Sequence, residues 1–219
     1  MPMVKFLVGI TQKHGNKKDY IMNDTIKEEI NKLWRAQHFD EDQRDYFIEL
    51  LTQHKPKYCL ETGFCSGTSS VTICASSKPE KMISVSLTSN NMEVAGSLKN
   101  AYNFRLIEGD STKVLVSSFF ETEYENGIDF YHVDGGHTYE VAKHDLVSAY
   151  NYMNDNSIII VDDYHSNVCN LSEVAKAVDE FAKENNLEVE QIRTNSGKGM
   201  AKIVISKVLL QEQVLLNNI

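Results

Sequence analysis

The sequence predicts a doubly wound α/β fold, a mainly parallel sheet with helices on both of its faces. From about residue 55 onward, short β-rich runs alternate with helical patterns in five successive β-then-α units, as in a parallel sheet. The run IIIV is apolar without alternation, as expected of a strand that is covered on both sides. The last two β-rich runs are joined by the glycine-bearing turn TNSGKG, which predicts an antiparallel hairpin at one edge. We therefore predict a seven-stranded sheet in the order 3-2-1-4-5-7-6, with only strand 7 antiparallel.

The N-terminal part of the chain has a different texture. An apolar hexad is followed by a polar arm, and from Tyr20 to about His54 apolar residues recur at helical spacing. This predicts two or three helices, the last of which begins after the acidic run Asp40-Glu41-Asp42. We divide the chain into an N-terminal arm and helical cap over residues 1–54 and an α/β domain over residues 55–219, which together form one compact domain.

The remaining elements follow in chain order after Lys57. Strands are predicted at 58–62, 81–87, 104–109, 128–134, 157–163, 187–193 and 200–207. Helices are predicted near 68–76, 90–101, 112–119, 138–153 and 171–185.

Composition and charge exclude several function classes. The chain has 219 residues and a formal net charge of −9. Residues 58–219 hold 12 basic and 22 acidic side chains, and such a surface repels phosphate backbones, so we expect no nucleic-acid partner. No apolar run approaches the roughly 20 residues that span a bilayer, and the first residues do not read as a secretory signal. We expect a cytoplasmic protein that acts on a small molecule.

The chemistry should lie where the strands end, because ligands of doubly wound sheets bind at the carboxyl ends of the strands. After the first strand, ETGFCSGTS places two glycines four residues apart before a helix, which lets a ligand approach the backbone. After the third strand, Asp110 and Ser111 read equally well as a helix N-cap. Three carboxylates follow the fourth and fifth strands, and like charges this close need a counter-ion such as Mg²⁺. They are Asp134, Asp162 and Asp163.

The ordered motifs ETGFCSGTS, GDS, VDGGHTYE, IIIVDDY and a late GKG turn resemble the class I methyltransferases that use S-adenosylmethionine (SAM). Within that class they resemble the small metal-dependent O-methyltransferases, which have a DGxH-type motif after the fourth strand and DD after the fifth. The resemblance covers about residues 55–207 and implies a Rossmann-like fold. It also implies methyl transfer from SAM to a small hydroxylated acceptor, such as a sugar or a phenol.

The resemblance implies a role for each matching residue. The cofactor would be bound by residues after the first four strands, namely Glu61, Gly63, Ser66, Gly67, Thr68, Ser86, Asp110, Ser111 and Asp134. A divalent cation such as Mg²⁺ would be held by Asp134, Asp162 and Asp163. The catalytic base would be His137, with His165 as second choice. Some relatives carry the base two residues beyond the first metal ligand, but here that position is Gly136, which favours His137.

One departure from the family pattern leaves an alternative open. Ser86 stands where the family has an acidic residue that binds both ribose hydroxyls. Either Asn90 or a neighbour substitutes, or cofactor affinity is low, or the chain is a catalytically silent binding or assembly module. The apolar tail VLLQEQVLLNNI is consistent with a homodimer interface and with a docked last helix.

Overall fold

The structure is a computed structural model and describes residues 3–6, 28, 30, 31, 39–88, 91–165 and 172–206. The strands among them are β1 (Met3–Phe6), β2 (Tyr58–Thr62), β3 (Lys81–Ser86), β4 (Phe104–Glu108), β5 (Ile128–Val133), β6 (Met153–Val161), β7 (Val189–Arg193) and β8 (Gly199–Val204). We number the longer described helices α1 (Glu41–His54), α2 (Thr68–Ser77), α3 (Met92–Ala101), α4 (Ser111–Val114), α5 (Ser117–Glu123), α6 (Tyr139–Tyr150) and α7 (Ser172–Glu184).

The strands form one sheet in the order β1-β7-β8-β6-β5-β2-β3-β4. From β4 to β7 this is the predicted order 3-2-1-4-5-7-6, and β8 is antiparallel to both of its neighbours, so the predicted fold is confirmed. β1 adds an eighth strand, which pairs in parallel with β7 at the outer edge. The sequence predicted no strand there, because a run as short as Met-Val-Lys-Phe acquires a strand geometry only through its partner.

Several element boundaries differ from the prediction by a few residues, and one predicted helix is divided. The helix expected at 112–119 is two short helices, α4 and α5, and exposed Val116 between them has extended backbone angles. β6 begins at Met153, which ends the preceding helix earlier than expected. The C-terminal tail, Asn90 and most of the predicted N-terminal helices lie outside the described residues.

Both faces of the sheet are covered, which explains the apolar run in β6. Ile158 and Ile160 contribute to the core on the side of α1, α2 and α3, whereas Ile159 and Val161 contribute to the core on the side of α6 and α7. Such alternation across two cores is what a central strand requires. None of the described helices is long and apolar enough to cross a membrane. The parallel arrangement brings the carboxyl ends of β2 to β6 to one edge of the sheet.

Candidate active site

A cavity of about 670 Å³ lies at the carboxyl edge of the sheet. Its wall is formed by residues that follow β2, β3, β4, β5 and β6 and by the turn between β7 and β8. Of the residues predicted from sequence, it brings together Gly63, Ser86, Asp110, Ser111, Asp134, His137, Asp162 and Asp163. The residues after β5 and β6, namely Asp134, His137, Asp162 and Asp163, form what we call the acidic end of the cavity, and the other residues of this set lie at the carboxyl ends of β2, β3 and β4.

Gly63 shapes the first part of the wall. Its φ is +96°, and a Cβ there would lie 1.8 Å from the carbonyl oxygen of Asp134. Only glycine therefore allows the loop after β2 to pack against the end of β5. Gly67 also has a positive φ, but a Cβ there would point at Phe64 and Val94, and Gly67 does not line the cavity.

Three other residues predicted at the cofactor site lie off the cavity wall. The Ser66 and Thr68 hydroxyls bond to each other over 2.7 Å, and neither residue lines the cavity. Glu61 is wholly buried, and its carboxylate accepts hydrogen bonds from the hydroxyls of Ser69, Ser70 and Ser84. These hydrogen bonds hold the Glu61 side chain in the core between β2, β3 and α2. Glu61, which the resemblance implies as a cofactor-binding residue, therefore does not line the cavity in the structure.

His132 completes this buried cluster. Its Nδ1 lies 3.2 Å from Oε1 of Glu61, and both side chains have no exposed surface. Burial lowers the pKa of His132, but the bond with Glu61 raises it, and the net result is a raised pKa. A charged pair of this kind must be held by good hydrogen bonds to persist in a core. The cluster therefore joins β2, β5 and α2 beneath the loop that carries Gly63.

The end of β3 lacks a carboxylate, as the sequence indicated. The Ser86 hydroxyl donates a hydrogen bond to the carbonyl oxygen of Thr88 over 2.7 Å, and both residues line the cavity. Leu87 beside them is 71% exposed and lines the cavity as well. With its proton engaged, Ser86 offers the cavity an acceptor oxygen only.

Asp110 at the end of β4 caps α4. Its carboxylate accepts hydrogen bonds from the backbone N–H and the hydroxyl of Thr112, over 3.0 and 2.7 Å, and these bonds hold the pKa of Asp110 below its usual range. The N-cap alternative is therefore what the structure shows. Asp110 and Ser111 also line the cavity, so the cap places them where the resemblance expects a cofactor-binding pair.

The acidic end of the cavity brings three predicted residues together. Asp134, His137 and Asp163 each offer a ligand atom, and these atoms all lie within 4.8 Å of one another. Nε2 of His137 is 3.9 Å from Asp134 and 3.5 Å from Asp163. Asp134 raises the pKa of His137 against the opposing effect of burial, and burial together with Asp134 raises the pKa of Asp163. The group thus combines excess negative charge with one imidazole.

Asp162 is not in this group, although the sequence placed it with Asp134 and Asp163. Its Oδ1 accepts a hydrogen bond from Nε2 of Gln43 in α1, over 2.7 Å. Asp162 and Asp163 lie in the turn after β6, where Asp163 has a φ of +59°, and their side chains have different partners. Burial and the charges of Asp134 and Asp163 raise the pKa of Asp162 to about 7.

Two residues of the site, Lys198 and Gln43, are not predicted from the sequence. Lys198 lies on the cavity wall and its charge opposes the raised pKa values of Asp162 and Asp163. The GKG turn is part of the motif pattern, but Lys198 is far in sequence from Asp162 and Asp163, so the sequence does not indicate that they lie near one another. Gln43 lies 119 positions from Asp162, and local periodicity marks it only as a helix residue.

His165, the second choice for a base, lies away from the acidic group. It is exposed, it does not line the cavity, and its ring stacks at a tilt against Tyr164 with centroids 4.4 Å apart. A general base must come within hydrogen-bond reach of the proton that it takes. The position of His165 therefore favours His137 as the candidate.

Comparisons with known proteins show what the chain is similar to. Residues 60–164 match the family model of a methyltransferase domain. A search of the curated proteins found no match for this chain. The structure is similar to the O-methyltransferase from Bacillus cereus in complex with SAH, at 14% identity and a TM-score of 0.61, with 88% of this chain and 93% of that chain covered.

A second similar structure is the SAM complex of an O-methyltransferase from Streptomyces achromogenes that is involved in tomaymycin synthesis. It is 13% identical, with a TM-score of 0.61, and the likeness covers 88% of this chain and 91% of that chain. Likeness at these identities establishes the fold alone. The match over residues 60–164 covers just under half of the chain, and it shows that this part of the chain is similar to a methyltransferase domain.

Proposed function

We propose that the protein transfers a methyl group from SAM to a hydroxyl of a small acceptor, such as a sugar or a phenol. The observation that carries the proposal is one cavity whose wall holds two sets of residues. Gly63, Ser86 and Asp110 lie at the carboxyl ends of β2, β3 and β4, and Asp134, His137 and Asp163 follow β5 and β6. Its volume, about 670 Å³, is within the range of roughly 300–1,000 Å³ typical of small-molecule sites.

The part of the wall at the carboxyl ends of β2, β3 and β4 suits a nucleoside cofactor. The positive φ of Gly63 lets backbone approach a ligand, and the end of β4 presents Asp110 and Ser111 beside it. Both solved structures with the same fold hold SAH or SAM. Ser86 supplies one acceptor where a carboxylate would supply two, so this chain should bind the cofactor through fewer hydrogen bonds at the end of β3.

The acidic end fits a hard divalent cation. Magnesium is usually held by one or two carboxylates together with water and substrate oxygens, and Asp134 and Asp163 supply two carboxylates. Burial and the charge of Asp134 raise the pKa of Asp163, and a bound cation would offset the charge of both carboxylates. When bound, such an ion lowers the pKa of an acceptor hydroxyl and orients its oxygen.

His137 is the residue that we propose takes the acceptor proton. It lies on the cavity wall with a side chain that is 46% exposed, so solvent can carry the proton away. Asp134 and Asp163 hold its Nε2 on the side of the acidic group. A hard cation prefers oxygen ligands, which leaves this nitrogen for proton transfer. A histidine has a pKa near the operating pH, as a general base requires.

Calorimetric titration with SAM, with and without Mg²⁺, tests the cofactor and the cation together. We expect SAM to bind and Mg²⁺ to bind the wild type but not Asp163→Ala. With a panel of sugars and phenols, His137→Ala should retain Mg²⁺ binding while methyl transfer falls by about 10²–10⁴-fold. Activity that survives exhaustive chelation would contradict the role of the cation. Full activity of His137→Ala would contradict the role of His137 as the base. Failure of SAM to bind would favour the silent binding module.

A further inference from the structure

The N-terminus of α1 reaches the acidic end of the cavity through Gln43. Gln43 has no exposed surface, and its Nε2 donates a hydrogen bond to Oδ1 of Asp162 over 2.7 Å. Asp162 lines the cavity and is 5% exposed. A buried carboxylate is costly unless it is hydrogen-bonded. Gln43 therefore both satisfies Asp162 and directs one of its two oxygens toward α1.

The orientation of the Gln43 amide is set by a second set of bonds. Its Oε1 accepts a hydrogen bond from the backbone N–H of Asp40 over 3.1 Å, and its own backbone N–H donates to Asp40 Oδ1 over 2.8 Å. This is a capping box at the start of α1. Because the amide oxygen is used by the cap, the amide nitrogen must face Asp162, and a flipped amide would lose both bonds.

The same cap holds the turn that carries Lys198. Asp40 Oδ2 accepts hydrogen bonds from the hydroxyls of Ser196 and Thr194, and Asp42 accepts one from the backbone N–H of Asn195 over 2.7 Å. Lys198 follows this turn and lines the cavity opposite the aspartates. The first turn of α1 thus sets the position of one anion and one cation at the acidic end.

We propose that Gln43 is a positioning residue of the active site, which orients the Asp162 carboxylate toward the cation and acceptor end of the cavity. The inference rests on the proposed function, because it gives Asp162 a supporting role beside the Asp134 and Asp163 ligands. Residues one step away from a metal change its affinity by roughly 10- to 100-fold when they are removed. Asp162 would be such a residue, and Gln43 acts through it, so we expect the lower end of this range for Gln43.

Two substitutions separate this role from the capping of α1. Gln43→Met removes the amide donor and the cap acceptor together. Gln43→Glu keeps an acceptor for the Asp40 N–H, since glutamate is a normal residue of the capping box, but removes the donor to Asp162. Gln53→Glu is the matched control, because it makes the same chemical change at an exposed position of the same helix. All four proteins are titrated with Mn²⁺ alone and with SAH alone.

We expect both Gln43 variants to bind Mn²⁺ about tenfold more weakly than the wild type, with SAH affinity unchanged and Gln53→Glu normal. Gln43→Glu is the more decisive variant. Its added negative charge should by itself strengthen cation binding, so a loss of Mn²⁺ affinity must come from the lost donor to Asp162. In an Asp162→Ala background, Gln43→Met should have no further effect. Mn²⁺ affinity of Gln43→Met within about twofold of the wild type, or an equal loss in the Asp162→Ala background, would overturn the inference.

A spectroscopic measurement keeps this inference separate from the proposed function. In protein labelled with ¹⁵N-glutamine, the Gln43 side-chain amide pair is identified by its absence in Gln43→Met. We expect the pair to be protected from exchange and to move strongly in Asp162→Ala but not in Asp155→Ala. A wild type that binds neither Mn²⁺ nor SAH would defeat the proposed function, whereas an unmoved amide pair would defeat the role of Gln43 alone.

Discussion

At the scale of single residues, the two aspartates that follow β6 show how a strand end divides its side chains. Asp162 bonds to Gln43 on the α1 side, whereas Asp163, with a φ of +59°, turns toward His137. Two aspartates that are adjacent in sequence therefore lie in two different environments. The distinction matters because the two carboxylates should respond differently to substitution.

Asp162→Asn should flatten the pH dependence of stability. The pKa of Asp162 is raised in the folded chain to about 7, so the folded state favours the protonated carboxyl. Its contribution to stability is present below the ordinary pKa and is lost as pH rises through the folded value. Asparagine can still accept the bond from Gln43 and never ionises. In chelator, we expect its melting temperature to exceed that of the wild type by about 5 °C at pH 8 but to differ little at pH 4.

Asp155→Asn is the control for this measurement, because Asp155 is an exposed carboxylate of the same strand. It should leave the difference between pH 4 and pH 8 as in the wild type. Melting curves of Asp162→Asn that run parallel to those of the wild type at both pH values would show that the fold does not favour the protonated form.

Ser86→Asp should tighten cofactor binding if the ribose lies at the end of β3. Ser86 is 9% exposed on the cavity wall, and an aspartate there would offer two acceptors to the ribose hydroxyls. Hydrogen bonds to a charged group contribute about 1.5–3 kcal/mol, which corresponds to at least tenfold in SAH affinity. Ser118→Asp, an equal change of charge at an exposed site on α5, should leave SAH affinity as it is. An unchanged affinity in Ser86→Asp would place the ribose elsewhere.

At the scale of elements, the sheet was predictable because strand and helix patterns repeat locally. The runs from β2 to β8 each carry their own β-rich composition, and the TNSGKG turn identified the hairpin. β1 was not predictable, because its strand geometry depends on pairing with β7. The split between α4 and α5 also escaped the periodicity, because Leu115 and Val116 continue an apolar pattern while their backbone leaves the helix.

The site was predictable where a residue follows directly on a strand, and unpredictable where it arrives from afar. Asp134, His137 and Asp163 belong to strand ends that any parallel sheet brings together. Gln43 reaches the site from α1, and no local pattern encodes such a contact. Glu61 shows a different limit. It lies on β2 as the sequence predicts, but its side chain bonds to a buried cluster of hydroxyls.

The loop after β2 gives a prediction about glycine. Gly63→Ala should abolish SAH binding and destabilise the fold by about 2 kcal/mol or more, since its Cβ would overlap the carbonyl of Asp134 at a positive φ. Gly67→Val should destabilise through Phe64 and Val94, and should weaken SAH binding only through the displaced loop. Gly96→Ala is the control, because nothing lies within 4 Å of its Cβ and alanine favours the helix. Normal SAH binding by Gly63→Ala would show that the loop can yield.

At the scale of the whole molecule, α1 is part of the core and not an appended cap. Phe47, Ile48 and Leu51 are almost wholly buried, and Phe47 packs edge-on against Phe130 of β5 with ring centroids 5.8 Å apart. Through Gln43 the same helix reaches the candidate active site. The division at residue 54 therefore follows a change in the sequence pattern. It is a domain boundary only if residues 55–219 fold alone.

A chain of residues 55–219 should fail to fold cooperatively. Removing α1 exposes the surface that Phe47, Ile48 and Leu51 cover, and burial of each such side chain contributes roughly 1.5–3 kcal/mol. The sum is about as large as the total stability of a typical domain, roughly 5–15 kcal/mol. A chain of residues 39–219 retains α1 and its cap, so it should still give a sigmoidal melt by circular dichroism, at a lower temperature than the full chain. A sigmoidal melt of residues 55–219 with SAH binding intact would show instead that the α/β part is an independent domain.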